Sequence, residues 1–475
     1  MKTSAFFWVA TAAILFNYSG SARAADHEKV LIHFDGTKGL SPTGPLVVDG
    51  HGNLYGSAAG GGKTSKTCPK RDVNHDGGCG LIFELSPPAP GKTAWTETVL
   101  YEFNGADGAG PAGGLMRHSD GTLYGVTESG GGSKTCPAMP TNGVVDGCGV
   151  AFKLTPPATG KAAWTETILH RFTGAAGAFP NGSLVSDSKG NLYGATTRGG
   201  SFSSDCPTTS TVAVAGCGTA FELVKPASTQ GAWTVEVLHN FGNGTDGRFP
   251  VGGMARDAAG NLYGVTQNGG LSATACQGIY FGSPTGCGIA YRLAPPAAGK
   301  TSWTETVLHQ FRGAPDGAAP TGGLLLNSGK LYGVTGGGGT GTTVGATGTA
   351  GDGTFFVLSP PAAGTGGWAE SVLFRFHAKP SPNTPTGALV PDGHGGFYGT
   401  TIYGGGKNVG TVYELSPPAG KAAWTTTVLH AFSFGQDGSD PNGGLTRTAA
   451  GKLFGTTVYD GTYQVGNGTV FEIVP

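Results

Sequence analysis

The sequence contains few charged residues, and this scarcity excludes a large class of partners. Lys, Arg, Asp and Glu together form 12% of the 475 residues, against about 25% in an average soluble protein. The formal net charge is −1, and Lys and Arg form no cluster of the kind that binding to phosphate groups requires. We therefore predict that the protein has no nucleic-acid partner.

The common catalytic motifs are also absent from the sequence. It contains no G-x-S-x-G nucleophile elbow, no H-E-x-x-H zinc motif and no phosphate-binding P-loop. No segment keeps the 3.6-residue periodicity of an amphipathic helix, so we expect little helix. Function has to be inferred from the fold and from local groups of residues.

Long apolar runs are missing except at the N-terminus. The run over residues 5–16 is shorter than the roughly 20 residues of a membrane helix. Lys2 precedes it and Ala22-Arg23-Ala24 forms an A-x-A cleavage site, a pattern typical of a secretory signal peptide. We predict a signal peptide over residues 1–24, cleavage after Ala24, a secreted or periplasmic location and no transmembrane segment.

Glycine is abundant, with 89 residues, and it recurs at fixed places as turn punctuation. An aromatic-Gly step, preceded by a Gly-rich turn, occurs seven times: Tyr55-Gly56, Tyr124-Gly125, Tyr193-Gly194, Tyr263-Gly264, Tyr332-Gly333, Tyr398-Gly399 and Phe454-Gly455. A tryptophan marks six of the units: Trp95, Trp164, Trp233, Trp303, Trp368 and Trp424. The spacing between successive tryptophans fits a four-stranded propeller blade with one enlarged loop.

Each repeat predicts four short strands, and the chain ends predict how the ring closes. In the second unit the strands fall at residues 115–117, 122–127, 150–154 and 164–172. The last unit stops after a third strand at residues 470–473, whereas residues 30–34 match the fourth strands of other units. We therefore predict an all-β, seven-bladed β-propeller of four-stranded antiparallel blades, closed by the N-terminal strand joining the last blade, which leaves no exposed sheet edge at the junction.

The predicted domain organisation is a single propeller over residues 25–475. Its parts are the closing strand at 25–36 and blades at 44–103, 113–172, 182–241, 252–311, 322–376, 387–432 and 443–475. We expect a monomer.

The recurring Gly-Gly-Leu-Val-x-Asp-x-x-Gly-Asn-Leu-Tyr-Gly-Thr-Thr pattern resembles the bacterial GloVer tandem repeat of exported "choice-of-anchor" proteins. The resemblance extends from about Val30 to Pro475. It implies a repeat architecture and export, but no particular activity. The chain departs from such proteins by ending at residues 471–475 without a sorting tail, which argues against surface anchoring.

The eight cysteines fall in four local pairs. Each pair brackets the long loop between the second and third strands of units one to four: Cys68/Cys79, Cys136/Cys148, Cys206/Cys217 and Cys276/Cys287. Closely spaced pairs for a zinc site are absent, and an exported chain meets an oxidising compartment. We predict four local disulfides, each contributing up to about 3 kcal/mol in the chain-entropy model.

The blade-to-blade loops carry a repeated Asp-Gly step, at Asp107, Asp246, Asp316 and Asp437. These loops and the stapled loops emerge on one face of a propeller, and functional residues concentrate on loops held by a rigid scaffold. The four Asp residues are therefore candidate ligand contacts, although Asp-Gly before Pro is also ordinary turn chemistry. We expect a groove near the loops of Asp72, Val144, Val212 and Tyr280, because the corresponding link in unit six is short.

One stapled loop resembles the first half of a calcium-binding loop. Asp72, Asn74 and Asp76 supply oxygen atoms at alternate positions, and Gly77 follows. The full pattern requires Glu at the twelfth position, where this chain has Phe83. Calcium binding and a simple polar loop both remain open, and no other cofactor is expected.

Two further residue types recur on the fourth strands. Histidine occupies one position as His170, His239, His309 and His430, where other units have Ile32, Tyr101 and Phe374, so we predict a packing position. Glu97, Glu166 and Glu305 share another position. Repeated copies on an outer strand argue against the facing carboxylate pair of a glycosidase.

Together these patterns predict an exported, non-enzymatic binding propeller that takes an unknown glycan, peptide or protein ligand on the face bearing the stapled loops. The alternative is a carbohydrate-active or other hydrolytic propeller enzyme acting at the same face. The fold alone does not choose between them, since propellers host both classes.

Overall fold

The structure is a computed structural model. It describes residues 28–68, 77–136, 145–158, 163–201, 206, 214–228, 231–242, 244–270, 276, 286–340, 351–362, 366–377, 380–420, 422–460 and 467–475. The predicted signal peptide lies outside these residues. Among the described residues, no helix combines the length and hydropathy needed to span a bilayer.

The chain forms a seven-bladed β-propeller with almost no helix, as predicted. Each blade is an antiparallel sheet, and we call its strands A, B, C and D in order from the axis outward. The A strands are β2 (Leu40–Val48), β6 (Ala109–Arg117), β10 (Ala178–Ser186), β14 (Arg248–Arg256), β18 (Gly317–Pro320) with β19 (Leu325–Asn327), β23 (Asn383–Pro391) and β27 (Leu445–Arg447). The B strands are β3 (Leu54–Gly60), β7 (Leu123–Ser129), β11 (Leu192–Arg198), β15 (Leu262–Asn268), β20 (Lys330–Gly338), β24 (Phe397–Tyr403) and β28 (Leu453–Thr457).

The outer strands complete each blade. The C strands are β4 (Leu81–Ser86), β8 (Val150–Thr155), β12 (Thr219–Val224), β16 (Ile289–Ala294), β21 (Thr354–Ser359), β25 (Thr411–Ser416) and β29 (Thr469–Ile473). The D strands of blades 1 to 6 are β5 (Thr96–Glu102), β9 (Thr165–Arg171), β13 (Thr234–Asn240), β17 (Thr304–Gln310), β22 (Ala369–Arg375) and β26 (Thr425–Ala431), and β1 (Glu28–His33) is the D strand of blade 7.

The ring closes through the N-terminal strand, as the sequence predicts. Strand β1 pairs antiparallel with β29, with Glu28 opposite Ile473 and His33 opposite Thr469. Phe34, which follows β1, packs on Phe83 of blade 1 with ring centroids 5.1 Å apart. The first and last parts of the described chain are therefore joined both by backbone pairing and by the core.

The hydrophobic cores lie between blades rather than within one. At each of the seven interfaces, the phenylalanine that directly follows a D strand contacts an aromatic residue on the C strand of the next blade. These pairs are Phe34–Phe83, Phe103–Phe152, Phe172–Phe221, Phe241–Tyr291, Phe311–Phe356, Phe376–Tyr413 and Phe432–Phe471, at centroid distances of 5.0–5.3 Å. All fourteen side chains are buried, so the apolar surface of every blade is covered by its neighbours.

The tyrosine and the tryptophan that recur in the repeat also contact each other across these interfaces. The tyrosine of the aromatic-Gly step contacts the tryptophan that precedes a D strand, as in Tyr55–Trp164, Tyr193–Trp303 and Tyr263–Trp368, with centroids 5.9–6.4 Å apart. The glycine of that step is needed for close packing, because a Cβ atom on Gly56 would lie 2.4 Å from the Phe83 ring.

The A strands are longer than predicted, and they bend at a glycine near the axis. In blade 2 the A strand begins at Ala109 rather than residue 115, because pairing with the B strand continues on both sides of a bulge between Ala112 and Met116. Glycines in these bulges form a ring in which neighbouring blades touch through their backbones. A Cβ atom on Gly113 would lie 2.5 Å from the carbonyl carbon of Gly182, and one on Gly182 would lie 2.3 Å from the oxygen of Gly252.

Candidate functional site

The axis of the propeller holds a cavity of about 610 Å³. All seven blades contribute to its wall through their A strands or the residues that flank them, and the glycine ring is part of the lining. The polar side chains of the wall are hydroxyls and amides: Ser41, Thr43, Asn181, Ser183, Thr321 and Asn442. Within the described residues, Glu128 is the one charged side chain of the lining, and it is exposed.

One end of this cavity opens beside the disulfide loops. Near the start of each A strand, or five residues before it in blade 7, is a residue before proline whose φ lies between 50° and 63°: Ser41, Gly110, Phe179, Phe249, Ala319, Thr384 and Asp440. Such values are costly for residues other than glycine. Each of these residues donates its N–H, at 2.8–3.0 Å, to the carbonyl before a C strand of the preceding blade, and in blades 1 to 4 that carbonyl belongs to Cys79, Cys148, Cys217 or Cys287.

The B–C loops and the blade-to-blade connections lie on the same face, which we call the stapled face. The Thr67 hydroxyl, in the first B–C loop, donates to the carbonyl of Asn104 in the connection to blade 2 at 3.3 Å. The Thr135 hydroxyl donates in the same way to the carbonyl of Thr173 at 2.7 Å. The stapled loops therefore support the connections that lead into the cavity wall.

The cavity mouth is chemically uneven around the ring. The position of Glu128, next to last on its B strand, is Thr197 in blade 3 and Gln267 in blade 4. The other blades have Ala59, Gly336, Ile402 and Val458 there. In blade 3 the next residue is Arg198, whose buried guanidinium lies 4.1 Å from the centre of the Phe249 ring. Of these residues, Ala59, Glu128 and Val458 line the cavity, whereas the Thr197 hydroxyl donates to the carbonyl of Phe179 at 3.1 Å. Blades 2 and 3, which contribute Glu128, Asn181 and Ser183 to the lining, thus form the polar side of the mouth.

Some polar side chains of the cavity wall form hydrogen bonds within the protein, and others are available to a ligand. The Thr43 hydroxyl donates to the carbonyl of Pro111 at 2.9 Å, and that of Thr321 donates to the carbonyl of Pro385 at 2.7 Å. Asn181, Ser183 and Asn442 form no side-chain hydrogen bond with the described part of the chain. Amides and hydroxyls both donate and accept hydrogen bonds, so these three can adapt to a bound polar group.

The structure contains four disulfides, Cys68–Cys79, Cys136–Cys148, Cys206–Cys217 and Cys276–Cys287, which are the predicted pairs. Their Cα atoms are 5.2–5.3 Å apart, and all eight cysteines are buried. Each disulfide joins the start of a B–C loop to the residue whose carbonyl holds the next A strand. The staple thus fixes the base of a loop at a blade junction.

The four candidate aspartates are bound within their own blade connections. Asp107 accepts hydrogen bonds from the Tyr101 hydroxyl at 2.7 Å and from the Asn104 N–H at 2.8 Å. The other three pair with the histidine that lies seven residues earlier: His239–Asp246 at 2.7 Å, His309–Asp316 at 3.1 Å and His430–Asp437 at 3.2 Å. These carboxylates organise their own loops and lie outside the cavity lining.

The histidines do pack as predicted, but they do more than fill space. His170, His239, His309 and His430 each lie edge-on to the following phenylalanine, with centroids 4.7–4.8 Å apart. Three of them also form a hydrogen bond with an aspartate, a pairing that the sequence patterns alone did not predict. In the connection that follows His170 the aspartate position is occupied by Ala176. The Nε2 atom of His170 is accordingly buried and has no hydrogen-bond partner.

The outer-strand glutamates meet these connections from the neighbouring blade. Burial and the nearby Asp107 raise the pKa of Glu166 to about 7, and burial and Asp246 raise that of Glu305 to about 7. For Asp437, burial acts to raise the pKa, but hydrogen bonds from His430 and Ser433 outweigh it and hold the pKa below its usual value. These carboxylate pairs lie at blade interfaces and not in the axial cavity.

Several predicted site residues lie outside the described residues. They are the calcium candidates Asp72, Asn74 and Asp76, and the groove positions Asp72, Val144, Val212 and Tyr280. The residues that the sequence analysis missed are Glu128, Asn181, Ser183 and Asn442. For Glu128 and Ser183 the signal was a polar residue at a repeat position where most other units have Gly, Ala or another apolar residue. Asn181 and Asn442 share a position that is Thr in three other units, and only the structure places these positions in the cavity wall.

Comparison with known proteins supports the repeat architecture. The model of the Gloeobacter/Verrucomicrobia repeat matches residues 74–276. No curated protein matches the chain.

Three solved structures illustrate the likeness in fold. A protein of unknown function from Dyadobacter fermentans is 11% identical, with 94% of this chain and 98% of that chain covered and a TM-score of 0.44. The polysaccharide lyase Uly1 is 12% identical, covering 92% and 90%, with a TM-score of 0.47. A putative 6-phosphogluconolactonase from Bacteroides uniformis is 12% identical, covering 79% and 84%, with a TM-score of 0.41. Similarities at this level carry no argument about function.

Proposed function

We propose that this protein binds a neutral, hydroxyl-rich ligand, such as the end of a glycan chain, at the polar side of the cavity mouth on the stapled face, and does not transform it. The observation that carries the proposal is the uneven mouth. Two successive blades line the cavity with Glu128, Asn181 and Ser183. At the position of Glu128 the other lining residues are Ala59 and Val458, and at the position of Ser183 most other blades have glycine. A purely structural ring gives no reason for this concentration.

The chemistry of the wall favours a neutral ligand. Hydroxyl groups of a sugar both donate and accept hydrogen bonds, and Asn181, Ser183 and Asn442 offer matching donors and acceptors. Glu128 supplies a single acceptor of stronger charge-assisted bonds. The described lining has no basic side chain, so a phosphate or sulfate group would find no counter-charge there.

The same lining argues against the hydrolytic alternative. Most glycosidases need two carboxyl groups on opposite sides of the scissile bond. In the part of the wall that the structure describes, Glu128 is the only carboxylate. The Asp and Glu pairs found elsewhere are partly buried between blades, where a sugar chain cannot reach between them.

We further propose that the protein works outside the cytoplasm, as a monomer. Four disulfides support this location, because such bonds persist in oxidising compartments. The cavity is formed within one chain, so binding requires no second copy.

A glycan array with the mature protein, followed by calorimetric titration of the best hit, tests the proposal. We expect Asn181→Ala and Glu128→Gln each to weaken binding about 10-fold, since each removes one or two bonds to the ligand. Thr98→Ala, at an exposed site on the outer strand of blade 1, is the control and should leave affinity unchanged.

Asn442→Ala gives a sharper comparison, because Asn442 lines the same cavity from blade 7. We expect it to weaken binding less than Asn181→Ala. A ligand whose affinity is unchanged by both Asn181→Ala and Glu128→Gln would place the binding site elsewhere. An array with no hit among neutral glycans would reject the ligand class.

A further inference from the structure

A second group of residues with possible chemistry lies at the outer part of the interface between blades 4 and 5, far from the axial cavity. His309 lies on the D strand of blade 4, Asp316 on the connection that follows, and Glu370 on the D strand of blade 5. One ligand atom from each of the three lies within 4.8 Å of the other two. The three side chains are partly buried, so the group is shielded but open to solvent.

The hydrogen bonding of this group is incomplete. His309 Nε2 and Asp316 Oδ2 are 3.1 Å apart, and the Arg312 N–H donates to the same Asp316 oxygen at 3.0 Å. The other oxygen of Asp316, and Oε1 of Glu370, are buried with no hydrogen-bond partner. Two carboxyl groups at this separation repel each other when both are ionised, and buried carboxylate oxygens without partners are costly.

We infer that His309, Asp316 and Glu370 form a binding site for a divalent transition-metal ion of the zinc type. Imidazole nitrogen and carboxylate oxygen are both ligands of zinc, and three protein ligands leave a fourth position for water. The imidazole disfavours Ca²⁺ and Mg²⁺, which prefer oxygen ligands alone. The ion would bridge blade 4 to blade 5, and this inference does not depend on the proposed ligand site.

One positively charged side chain, that of Arg375, lies near Glu370 and offsets part of the negative charge of the group. The Arg375 guanidinium donates from Nε to the carbonyl of Pro315 at 3.0 Å. It is therefore engaged beside the group without bonding either orphaned oxygen.

The repeat provides its own control for this inference. The interface between blades 3 and 4 has His239, Asp246 and Glu305 at the same three positions, and the Oε1 atom of Glu305 is again buried without a partner. The interface between blades 2 and 3 has His170, Ala176 and Val235 there. Between blades 1 and 2 the same positions hold Tyr101, Asp107 and Glu166, and Oε1 of Glu166 is also buried without a partner. The two carboxylates therefore occur together with or without the histidine. Among the described residues, only the group of His309 has its three ligand atoms within 4.8 Å of one another.

Zinc titration of the metal-stripped mature protein tests the inference. At about pH 8, where the ligands are deprotonated, we expect saturable Zn²⁺ binding and a rise in melting temperature. We expect Glu370→Gln and Asp316→Asn each to weaken binding at least ~10-fold, and Co²⁺ bound in place of Zn²⁺ to lose its visible absorption band in His309→Gln.

His170→Gln is the matched control, because it changes the same repeat position at the interface without carboxylates. It should leave metal affinity unchanged. Circular dichroism and the melting temperature without metal would establish that Glu370→Gln is folded; the substitution is isosteric and removes a like-charge contact. Absence of saturable binding by the unaltered protein, or equal binding by Glu370→Gln, would overturn the inference.

Discussion

Blades 1 to 4 and blades 5 to 7 form the same junctions by different means. In both halves the residue before the A-strand proline donates its N–H to the carbonyl that precedes a C strand. In blades 1 to 4 that carbonyl belongs to a disulfide-bonded cysteine, whereas in blades 5 to 7 it belongs to Asp352, Val409 and Asn467. The backbone geometry alone therefore suffices for the junction.

The disulfides must then serve the loops that they close. The B–C connection is long where it is stapled, and in blade 6 it is reduced to residues 404–410. The same half of the ring carries the polar side of the cavity mouth at Glu128, Asn181 and Ser183. A disulfide restricts the conformations open to the segment that it closes, and such a restriction lowers the entropic cost of binding a ligand. The difference between the halves thus points to the stapled half as the functional one.

The comparison of the two halves assumes that the ring unfolds as one cooperative unit. Removing the strand that closes the ring is the most severe test of this assumption. Deletion of residues 25–35 removes β1 and exposes the edge of β29. We expect the protein to lose cooperative unfolding and to aggregate, because an unpaired apolar edge recruits other chains. Size-exclusion chromatography and thermal unfolding measure this. A soluble variant that unfolds in one sharp transition would show that the halves do not depend on the closing strand.

The glycine ring should matter equally in the two halves. Gly182 and Gly387 both have positive φ, and a Cβ atom on either would lie less than 3 Å from a neighbouring blade's backbone, at 2.3 Å from the oxygen of Gly252 and 2.7 Å from the Cα of Gly444. We expect Gly182→Val and Gly387→Val each to destabilise the protein by about 3 kcal/mol or more, through strain and overpacking. Chemical denaturation checks this, and Gly420→Val is the control for backbone strain alone, since Gly420 has a φ of 70° but a Cβ on it meets nothing within 4 Å. A much smaller loss at Gly387 would mean that the unstapled half relaxes.

How much of this follows from the sequence depends on which contacts stay within a repeat. The ring closure and the four disulfides were predictable, because each follows from aligning units that have the same parts. The glycine ring and the cavity wall were not, because they arise where different blades meet at the axis. The pairing of His239 with Asp246 was only partly predictable. The seven-residue spacing is visible in the sequence, but the contact depends on the turn that brings the two side chains together.

The disulfides give the direct contrast between the halves. Replacing Cys276 and Cys287 by serine should lower stability by up to about 3 kcal/mol, because the open loop regains conformational freedom in the unfolded chain. The Ala319 N–H bond to the carbonyl of residue 287 uses the backbone, so the native fold should persist. Thermal unfolding and circular dichroism measure both points. Loss of the folded state would mean that the stapled half, unlike blades 5 to 7, cannot form its junctions without the bond.

A smaller effect distinguishes interfaces within the stapled half. The pKa of Glu166 is raised from 4.5 to about 7 in the folded protein, so its contribution to stability is complete below about pH 4.5 and is lost as the pH rises through about 7. After solvent screening of this half-exposed group, we expect Glu166→Gln to be about 1 kcal/mol more stable than the unaltered protein at about pH 8, and the gain to vanish near pH 4. Denaturation at both pH values measures it. Val235→Ala, at the same position of blade 3, should show no such dependence, and an equal pH dependence there would contradict the assignment.

The central claim is that the polar half of the cavity mouth binds a neutral glycan. The most direct measurement is a crystal structure of the mature protein with the best glycan from the array. The account predicts electron density for the sugar at the cavity mouth, with hydroxyl groups within hydrogen-bond distance of Asn181 and Glu128. Density on the opposite face, on the outer strands, or against blades 5 to 7 alone would contradict it.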